Sequence, residues 1–118
     1  MKTVLVCGGR RFGDWELLVR VLDSTSPACI VTGDSKGADE LTVWYSLMRK
    51  LPYKVYKADW ESLGRSAGPI RNLKMLLDSK ADLVVAFEGG RGTDDCVYKA
   101  RGLGIPVWEV KNEKFIKE

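Results

Sequence analysis

The sequence contains no histidine, and this absence excludes several catalytic mechanisms. Without an imidazole there is no Ser-His-Asp triad, no Cys-His nucleophile pair and no zinc site with a histidine ligand. No imidazole is present to shuttle protons near neutral pH. Any catalysis by this chain must therefore rely on carboxylates, lysine, arginine, tyrosine, cysteine or backbone dipoles.

Cysteine is scarce, and the three cysteines lie far apart in the sequence. Cys7, Cys29 and Cys96 form no CxxC pair, and the first two lie in apolar runs, which predicts buried reduced thiols. No apolar run is long enough to cross a bilayer, and the N-terminus lacks the apolar core of a signal peptide. We therefore expect a reduced cytoplasmic protein (in the host cytoplasm if a phage encodes it) with no membrane partner.

The composition is that of an ordinary globular chain. Its 118 residues are 45% hydrophobic and 30% charged, with a net charge of +3. The length predicts a single domain over residues 1–118, and the composition argues against disorder. The slight basic excess suits a small anionic ligand and does not by itself indicate nucleic acid.

Short β-branched runs alternate with helical segments along the chain. The predicted strands are residues 3–7, 29–31, 54–56, 82–87 and 105–110. The predicted helices are residues 15–22, 38–49, 69–79 and 94–101, with a loop at 59–67 and a frayed or short final turn from residue 111. This alternation predicts an α/β, Rossmann-like three-layer sandwich, whose five-stranded parallel sheet has the order 3-2-1-4-5.

Apolar spacing predicts which helix residues are buried. For the second helix these are Leu41, Val43, Trp44, Leu47 and Met48, and for the third Ile70, Leu73, Leu76 and Leu77. Trp108 is expected in the core as well. Trp15 and Trp60 lie beside polar loops, where they either stack on a base or cover the core.

Three glycine-rich loops, at residues 8–13, 32–37 and 88–93, follow the first, second and fourth predicted strands. In an open α/β sheet, ligands bind beyond the carboxyl ends of the strands where the strand order reverses, here between the first and fourth. Glycines allow close approach of the backbone, and helix starts offer free amides to an anion. The residues expected at this site are Gly8, Gly9, Arg10, Gly33, Asp34, Lys36, Gly37, Asp39, Arg71, Asn72, Gly89, Gly90, Gly92 and Thr93.

The residue types suggest roles within this site. The amides of residues 8–10 and 89–93 would hold a phosphate or pyrophosphate, and Lys36 and Arg71 would neutralise its charge. Asp34 or Asp39 would orient a ribose. No loop is a Walker A motif, and the first loop is not a GxGxxG motif, so a nicotinamide dinucleotide is not indicated. No metal site is predicted.

A purely structural role remains open for each loop. The glycine segments can be tight or solvated turns before helices, with Thr93 as an N-cap. Arg71 can be solvated or pair with Asp78, seven residues later on the same helix flank.

Five segments carry a family resemblance: GGRRFGD, VTGDSKGADELTVWY, ADWESLGRSAGPIRNLKM, VVAFEGGRGTDD and GLGIPVW. Over roughly residues 3–110 the chain resembles the small bacterial and phage SLOG-superfamily proteins of the YspA (cpYpsA-related) type. The resemblance implies a Rossmann-like fold, a site for nucleotides or nucleotide-derived ligands and frequent homodimers. It implies no cofactor.

The wider superfamily includes the LOG phosphoribohydrolases, which cleave a base from a nucleoside monophosphate with an arginine on the helix before a PGGxGTxxE motif. The resemblance assigns Arg71 to that arginine. Glu88 stands in place of the motif's proline, and Cys96 stands in place of its glutamate. The candidates for a catalytic role are therefore Arg71, Asp94 and Asp95.

Three functions follow in order of preference. The first is binding of a nucleotide or nucleotide-derived signalling ligand, by a protein that senses or sequesters it, in a setting such as phage–host defence. The second is an N-glycosidase or phosphoribohydrolase, which the missing glutamate disfavours. The third is binding of single-stranded DNA, because the superfamily includes the DNA-processing protein DprA, although the small net charge supports this weakly.

Overall fold

A computed structural model describes residues 2–111 and 114–117 of the chain. The strands are β1 (Thr3–Cys7), β2 (Cys29–Gly33), β3 (Tyr53–Tyr56), β4 (Leu83–Phe87), β5 (Val107–Lys111) and β6 (Lys114–Lys117). The helices are α1 (Trp15–Thr25), α2 (Ala38–Met48), α3 (Trp60–Leu63), α4 (Ala67–Ser79) and α5 (Arg91–Gly102), and a 3-10 turn (Gly64–Ser66) joins α3 to α4. The predicted loop at 59–67 is thus mostly helical.

The strands form one six-stranded sheet in the order β3-β2-β1-β4-β5-β6. The first five are parallel, which confirms the predicted Rossmann-like sheet and its order 3-2-1-4-5. The sixth strand is antiparallel to β5 and was not predicted, since this segment was expected to fray or form a short turn. Its two central residues, Phe115 and Ile116, are of types that favour strands.

Helices α1 and α2 cover one face of the sheet, and α4 and α5 cover the other, which gives the predicted three layers. Strand β1 shows the alternation directly. Val4 and Val6 enter the core beneath α1 and α2, whereas Leu5 and Cys7 enter the core beneath α4 and α5. The continuous apolar run of β1 therefore reflects burial on both faces.

Helix α2 buries a different face from the predicted one. Trp44, Leu47 and Met48 are exposed, with Trp44 at 61%. The face against the sheet instead consists of Ala38, Thr42, Tyr45 and Ser46. The hydroxyl of Thr42 donates to Ala38 O at 2.7 Å, and that of Ser46 donates to Thr42 O at 2.9 Å. Small residues with internally satisfied hydroxyls thus let the helix lie close to the sheet.

Helix α4 also departs from the predicted pattern. Ile70, Leu73 and Leu77 are exposed, and of the four predicted residues only Leu76 is buried. Asn72 and Met75 join it in the buried face.

Among the described residues, no helix is long and apolar enough to span a membrane.

Candidate functional site

A cavity of about 820 Å³, called here the main cavity, opens beyond the carboxyl ends of β1, β2 and β4. It lies where the strand order reverses, between β1 and β4, as the sequence predicts for a ligand site. Its volume is within the range of small-molecule sites in proteins. Segments from both sides of the reversal line it, including all three glycine-rich loops.

The three glycine loops contact one another directly. The amide of Gly9 donates to Glu88 O at 3.0 Å, and the carbonyl of Gly9 accepts from Ala38 N at 3.1 Å. Gly37 has a φ of +77°, and a Cβ there would collide with the carbonyls of Gly9 and Arg10. The amide of Gly9, which we expected to meet a phosphate, is therefore occupied by protein, and these glycines serve the packing of loop on loop.

The start of α5 is open toward the main cavity. The helix begins at Arg91, earlier than predicted, so its N-cap is Gly90, and no side chain caps it. Its first internal hydrogen bond runs from Asp94 N to Gly90 O, so the preceding amides lie outside the helical pattern. Thr93 is not the N-cap but is buried in the first turn. Its hydroxyl occupies the space that a Cβ at Gly89 would need. A Cβ at Gly90 would meet no protein atom within 4 Å.

Arg71 is held in place on the wall of the main cavity. Its Nη1 donates to Asp34 Oδ1 at 3.0 Å and to Tyr56 O at 3.3 Å. Its Nε donates to Asn72 Oδ1 at 2.9 Å, and its side chain is only 10% exposed. The arginine is thus neither solvated nor paired with Asp78, the two alternatives left open by the sequence.

Asn72 connects this arginine to a carboxylate on α5. Its side-chain amide donates to Gly92 O at 3.2 Å and to Asp95 Oδ2 at 3.0 Å. The same carboxylate oxygen accepts from Lys99 Nζ at 2.9 Å. A continuous polar chain therefore runs from the loop after β2 through α4 to α5.

Asp39 is buried and faces the loop that follows β2. Its Oδ1 accepts from Thr32 Oγ1 at 2.9 Å, and its Oδ2 accepts from Ser35 N at 3.1 Å. Burial raises the pKa of Asp39, against the lowering effect of these hydrogen bonds and of the Arg71 charge. A Cβ at Gly33 would lie 2.5 Å from Arg71 Nη1 and 2.8 Å from Asp39 Oδ2, so glycine makes room for both groups. The hydrogen bonds of Asp39 therefore join α2 to the end of β2 and to the loop that follows it.

The cysteine that replaces the LOG glutamate belongs to the hydrophobic core. Cys96 is 1% exposed and lies beside Cys7, the last residue of β1. The hydrogen bond with Cys96 and burial raise the pKa of the Cys7 thiol well above its ordinary value. Asp94 lines a separate cavity of about 260 Å³, whereas Asp95 lines the main cavity. Of the three catalytic candidates, only Arg71 and Asp95 come together.

Most of the predicted site residues line the main cavity: Gly8, Gly9, Arg10, Gly33, Asp39, Arg71, Asn72, Gly89, Gly90, Gly92 and Thr93. Asp34, Lys36 and Gly37 do not line it. Asp34 contacts Arg71, Lys36 is exposed, and Gly37 packs against the first glycine loop.

Several lining residues were not predicted for the site, among them Arg11, Ser35, Arg65, Glu88 and Arg91. Most of them adjoin or lie within the glycine motifs, so assigning every residue of those loops to the site would have found them. Arg65 lies in the predicted loop at 59–67, outside the three glycine-rich loops, so that rule would not have found it.

The two tryptophans left open by the sequence have different positions. Trp15 packs against the core beneath α1 and α2. Trp60 lines the main cavity, with the guanidinium carbon of Arg10 5.9 Å from its ring centroid. Trp60 is therefore the one with access to a ligand.

The sheet order and the cavity at the reversal define a Rossmann-like α/β protein. The family model for the YspA, cpYpsA-related SLOG family matches residues 2–62. The Gene 61 protein of Mycobacterium phage D29 is 35% identical over 119 aligned positions, which cover 91% of this chain and 94% of that protein. The chain belongs to the YspA, cpYpsA-related SLOG family.

A solved structure of MurG from Acinetobacter baumannii has the same kind of fold. The TM-score is 0.58 at 18% sequence identity, and the match covers 94% of this chain but only 35% of MurG. At this identity the likeness concerns the fold alone, and the chain spans about a third of the length of MurG.

Proposed function

We propose that the chain binds a nucleotide or nucleotide-derived signalling ligand in the main cavity. The observation that carries this proposal is the uncapped start of α5, which lies on the wall of a ligand-sized cavity at the strand-order reversal. Its free amides and helix dipole favour an anionic group such as a phosphate. The open space at Gly90 allows that group to approach the backbone.

The remaining walls provide for the rest of such a ligand. Arg71 contributes a fixed positive charge, and Trp60 offers an aromatic surface. Family membership supports a nucleotide-related ligand, and the phage relative supports a phage setting for the proposed sensing or sequestering role. A homodimer, which the family resemblance implies, is part of this proposal and is supported by the apolar residues exposed on α4.

Asp95 favours a second candidate function, hydrolysis of an N-glycosidic bond. Its carboxylate lines the main cavity and is oriented by Asn72 and Lys99. In such a reaction Asp95 would stabilise an oxocarbenium-like transition state or activate water, and Arg71 would stabilise the leaving group. The buried thiol at Cys96 supplies no equivalent of the LOG glutamate, so we place binding first.

One experiment separates these functions. The protein is incubated with a panel of nucleotides and cyclic or linear signalling nucleotides, and free, protein-released and converted species are quantified by mass spectrometry. Unchanged nucleotide released on denaturation supports binding. Free base plus ribose phosphate, lost in Asp95→Asn and retained in Asp94→Asn, establishes hydrolysis. Tight binding of an oligonucleotide with a steep salt dependence would instead support the single-stranded DNA alternative.

A further inference from the structure

The main cavity carries an excess of arginine. Five arginines line it, and Arg71 is paired with Asp34. Within residues 2–111, the other four form no ion pair with an acidic side chain. We call these four the arginine rim: Arg10, Arg11, Arg65 and Arg91.

The acidic residues of the cavity do not balance this charge. Three acidic residues line it: Asp39, Glu88 and Asp95. Asp39 uses one oxygen for Thr32 in β2 and the other for Ser35 in the loop that follows, and Asp95 is paired with Lys99. Glu88 is therefore the one lining carboxylate without such a partner in the described ranges. Within the part of the chain that the structure describes, the lining therefore contains four exposed arginines without an acidic partner and one such carboxylate.

The members of the rim come from three different segments. Arg10 and Arg11 follow β1, Arg65 lies in the 3-10 turn before α4, and Arg91 begins α5. Arg10 is held over Trp60, and Trp60 is itself confined by α4, since a Cβ at Gly68 would lie 3.2 Å from its ring. Convergence of separate loops on one concave space indicates a compact anion, because an extended nucleic-acid strand needs a continuous groove.

We propose that the arginine rim recognises a ligand with two or more linked phosphate groups. One phosphate occupies the start of α5, and the next lies against the rim. Guanidinium groups bind phosphate oxygens in a forked, charge-assisted geometry. A single phosphate carries about two negative charges at neutral pH, so it leaves part of the rim without an anion. For the nucleotide portion this inference rests on the proposed function.

The test uses probes whose only difference is the second phosphate. Inorganic phosphate, pyrophosphate, adenosine monophosphate and adenosine diphosphate are titrated calorimetrically into the protein. We expect each two-phosphate probe to bind about tenfold or more tightly than its one-phosphate counterpart, which is the effect of one additional charge-assisted contact. The double variant Arg11→Gln with Arg91→Gln should lose this preference. Arg20→Gln, at an exposed arginine on α1, is the matched control and should retain it.

The outcomes distinguish this inference from the proposed function. If adenosine mono- and diphosphate bind equally well, or if the preference persists in the double variant, the arginine rim has no such role while nucleotide binding stands. If pyrophosphate binds with the rim-dependent preference but no nucleotide binds, the rim is supported and the nucleotide proposal fails. Tighter binding of an oligonucleotide than of adenosine diphosphate would overturn the inference that the ligand is a compact anion.

Discussion

Asn72 donates a hydrogen bond of 3.0 Å to the carboxylate of Asp95 and so joins α4 to α5 at the main cavity. The asparagine is buried, and its second amide hydrogen bond goes to Gly92 O. An apolar residue of similar size would leave that carbonyl and the Asp95 carboxylate without this donor. The link therefore serves both the stability of the fold and the orientation of Asp95.

We expect Asn72→Leu to lower the free energy of unfolding by about 1–3 kcal/mol, the usual cost of unsatisfied buried polar groups. Lys99→Met is the comparison, because it removes the other partner of Asp95 in a partly exposed i,i+4 pair, for which about 0.5 kcal/mol is expected, together with the exposed hydrogen bond from Lys99 Nζ to Pro69 O on α4. Urea denaturation of both variants measures the difference. Equal losses would mean that the Asn72 amide has no special part in joining the helices.

Two adjacent glycines should respond oppositely to valine. A Cβ at Gly90 meets no protein atom within 4 Å, so Gly90→Val should leave the free energy of unfolding within about 1 kcal/mol of wild type and abolish nucleotide binding. A Cβ at Gly89 would lie 2.6 Å from Gly9 N and would also meet Thr93 Oγ1, so Gly89→Val should destabilise the fold strongly. Thermal unfolding and nucleotide titration provide both readouts. If Gly90→Val folds and binds the nucleotide with wild-type affinity, the proposed phosphate position at Gly90 is wrong.

Arg71 should affect phosphorylated ligands selectively. Arg71→Ala should cost about 2–5 kcal/mol of nucleotide binding, as for truncation of a charge in a desolvated site. The loss should be smaller for the corresponding nucleoside. Asp34→Asn serves as a comparison, because it removes the ion-pair partner and keeps the guanidinium. Equal losses for nucleotide and nucleoside on Arg71→Ala would indicate that Arg71 acts through the fold.

The thiols should differ in reactivity. Cys7 and Cys96 are buried and Cys29 is half-buried, so at about pH 8 a thiol reagent should label one cysteine in the folded protein and three after denaturation. Rapid labelling of Cys7 or Cys96 in the folded protein would contradict their placement in the core.

The raised pKa of Cys7 also predicts a pH dependence of stability. A folded-state pKa above the ordinary value of 9.0 means that the folded protein holds this proton more tightly than the unfolded chain. Its contribution is therefore complete below about pH 9 and decreases as the pH rises further. The pKa of Tyr45 is raised as well, mainly by burial, so the test compares wild type with Cys7→Ala across this range. Parallel stability profiles for the two proteins would show that Cys7 does not contribute.

The apolar stripe on α4, formed by Ile70, Leu73 and Leu77, predicts a surface for self-association. If the homodimer uses it, Leu73→Glu should convert the protein to a monomer in sedimentation velocity experiments. Leu47→Glu, on the exposed side of α2 across the sheet, should leave the dimer intact. A dimer that survives Leu73→Glu and dissociates on Leu47→Glu would move the interface to α2.

Strand order and the position of the main cavity were predictable because they depend on local signals. Uninterrupted β-branched runs mark strands buried on both faces, and glycine loops after the first and fourth of them mark the reversal of order. The buried face of α2 was mispredicted because the prediction chose its large apolar residues, whereas the helix packs on the sheet largely through small side chains. Ala38, Thr42 and Ser46 follow each other at intervals of four, and this row of small residues indicates close helix packing as clearly as an apolar row indicates burial.

The partner of Arg71 could not have been predicted from spacing. Helical periodicity suggests Asp78 on the same helix, whereas the actual partner, Asp34, is 37 positions away in the loop after β2. Likewise, Asp94 and Asp95 are equivalent neighbours in sequence. The rotation of α5 about its axis, set by burial of Cys96 and Val97, directs them to different cavities. Such relations depend on tertiary packing.

The main cavity has two kinds of wall, one formed by the glycine loops and the other by α3 and the 3-10 turn. Backbone hydrogen bonds through Gly9 join the segments after β1 and β4 and the start of α2, so these move together as one rigid base. Helix α3 and the 3-10 turn, which bring Trp60 and Arg65, contain no buried residue and depend on the Asp59 cap. Local opening should therefore begin in residues 60–66, and we expect their amide hydrogens to exchange faster than those of the glycine loops. We therefore expect displacement of this segment, against a base of fixed shape, to accommodate ligands of different size.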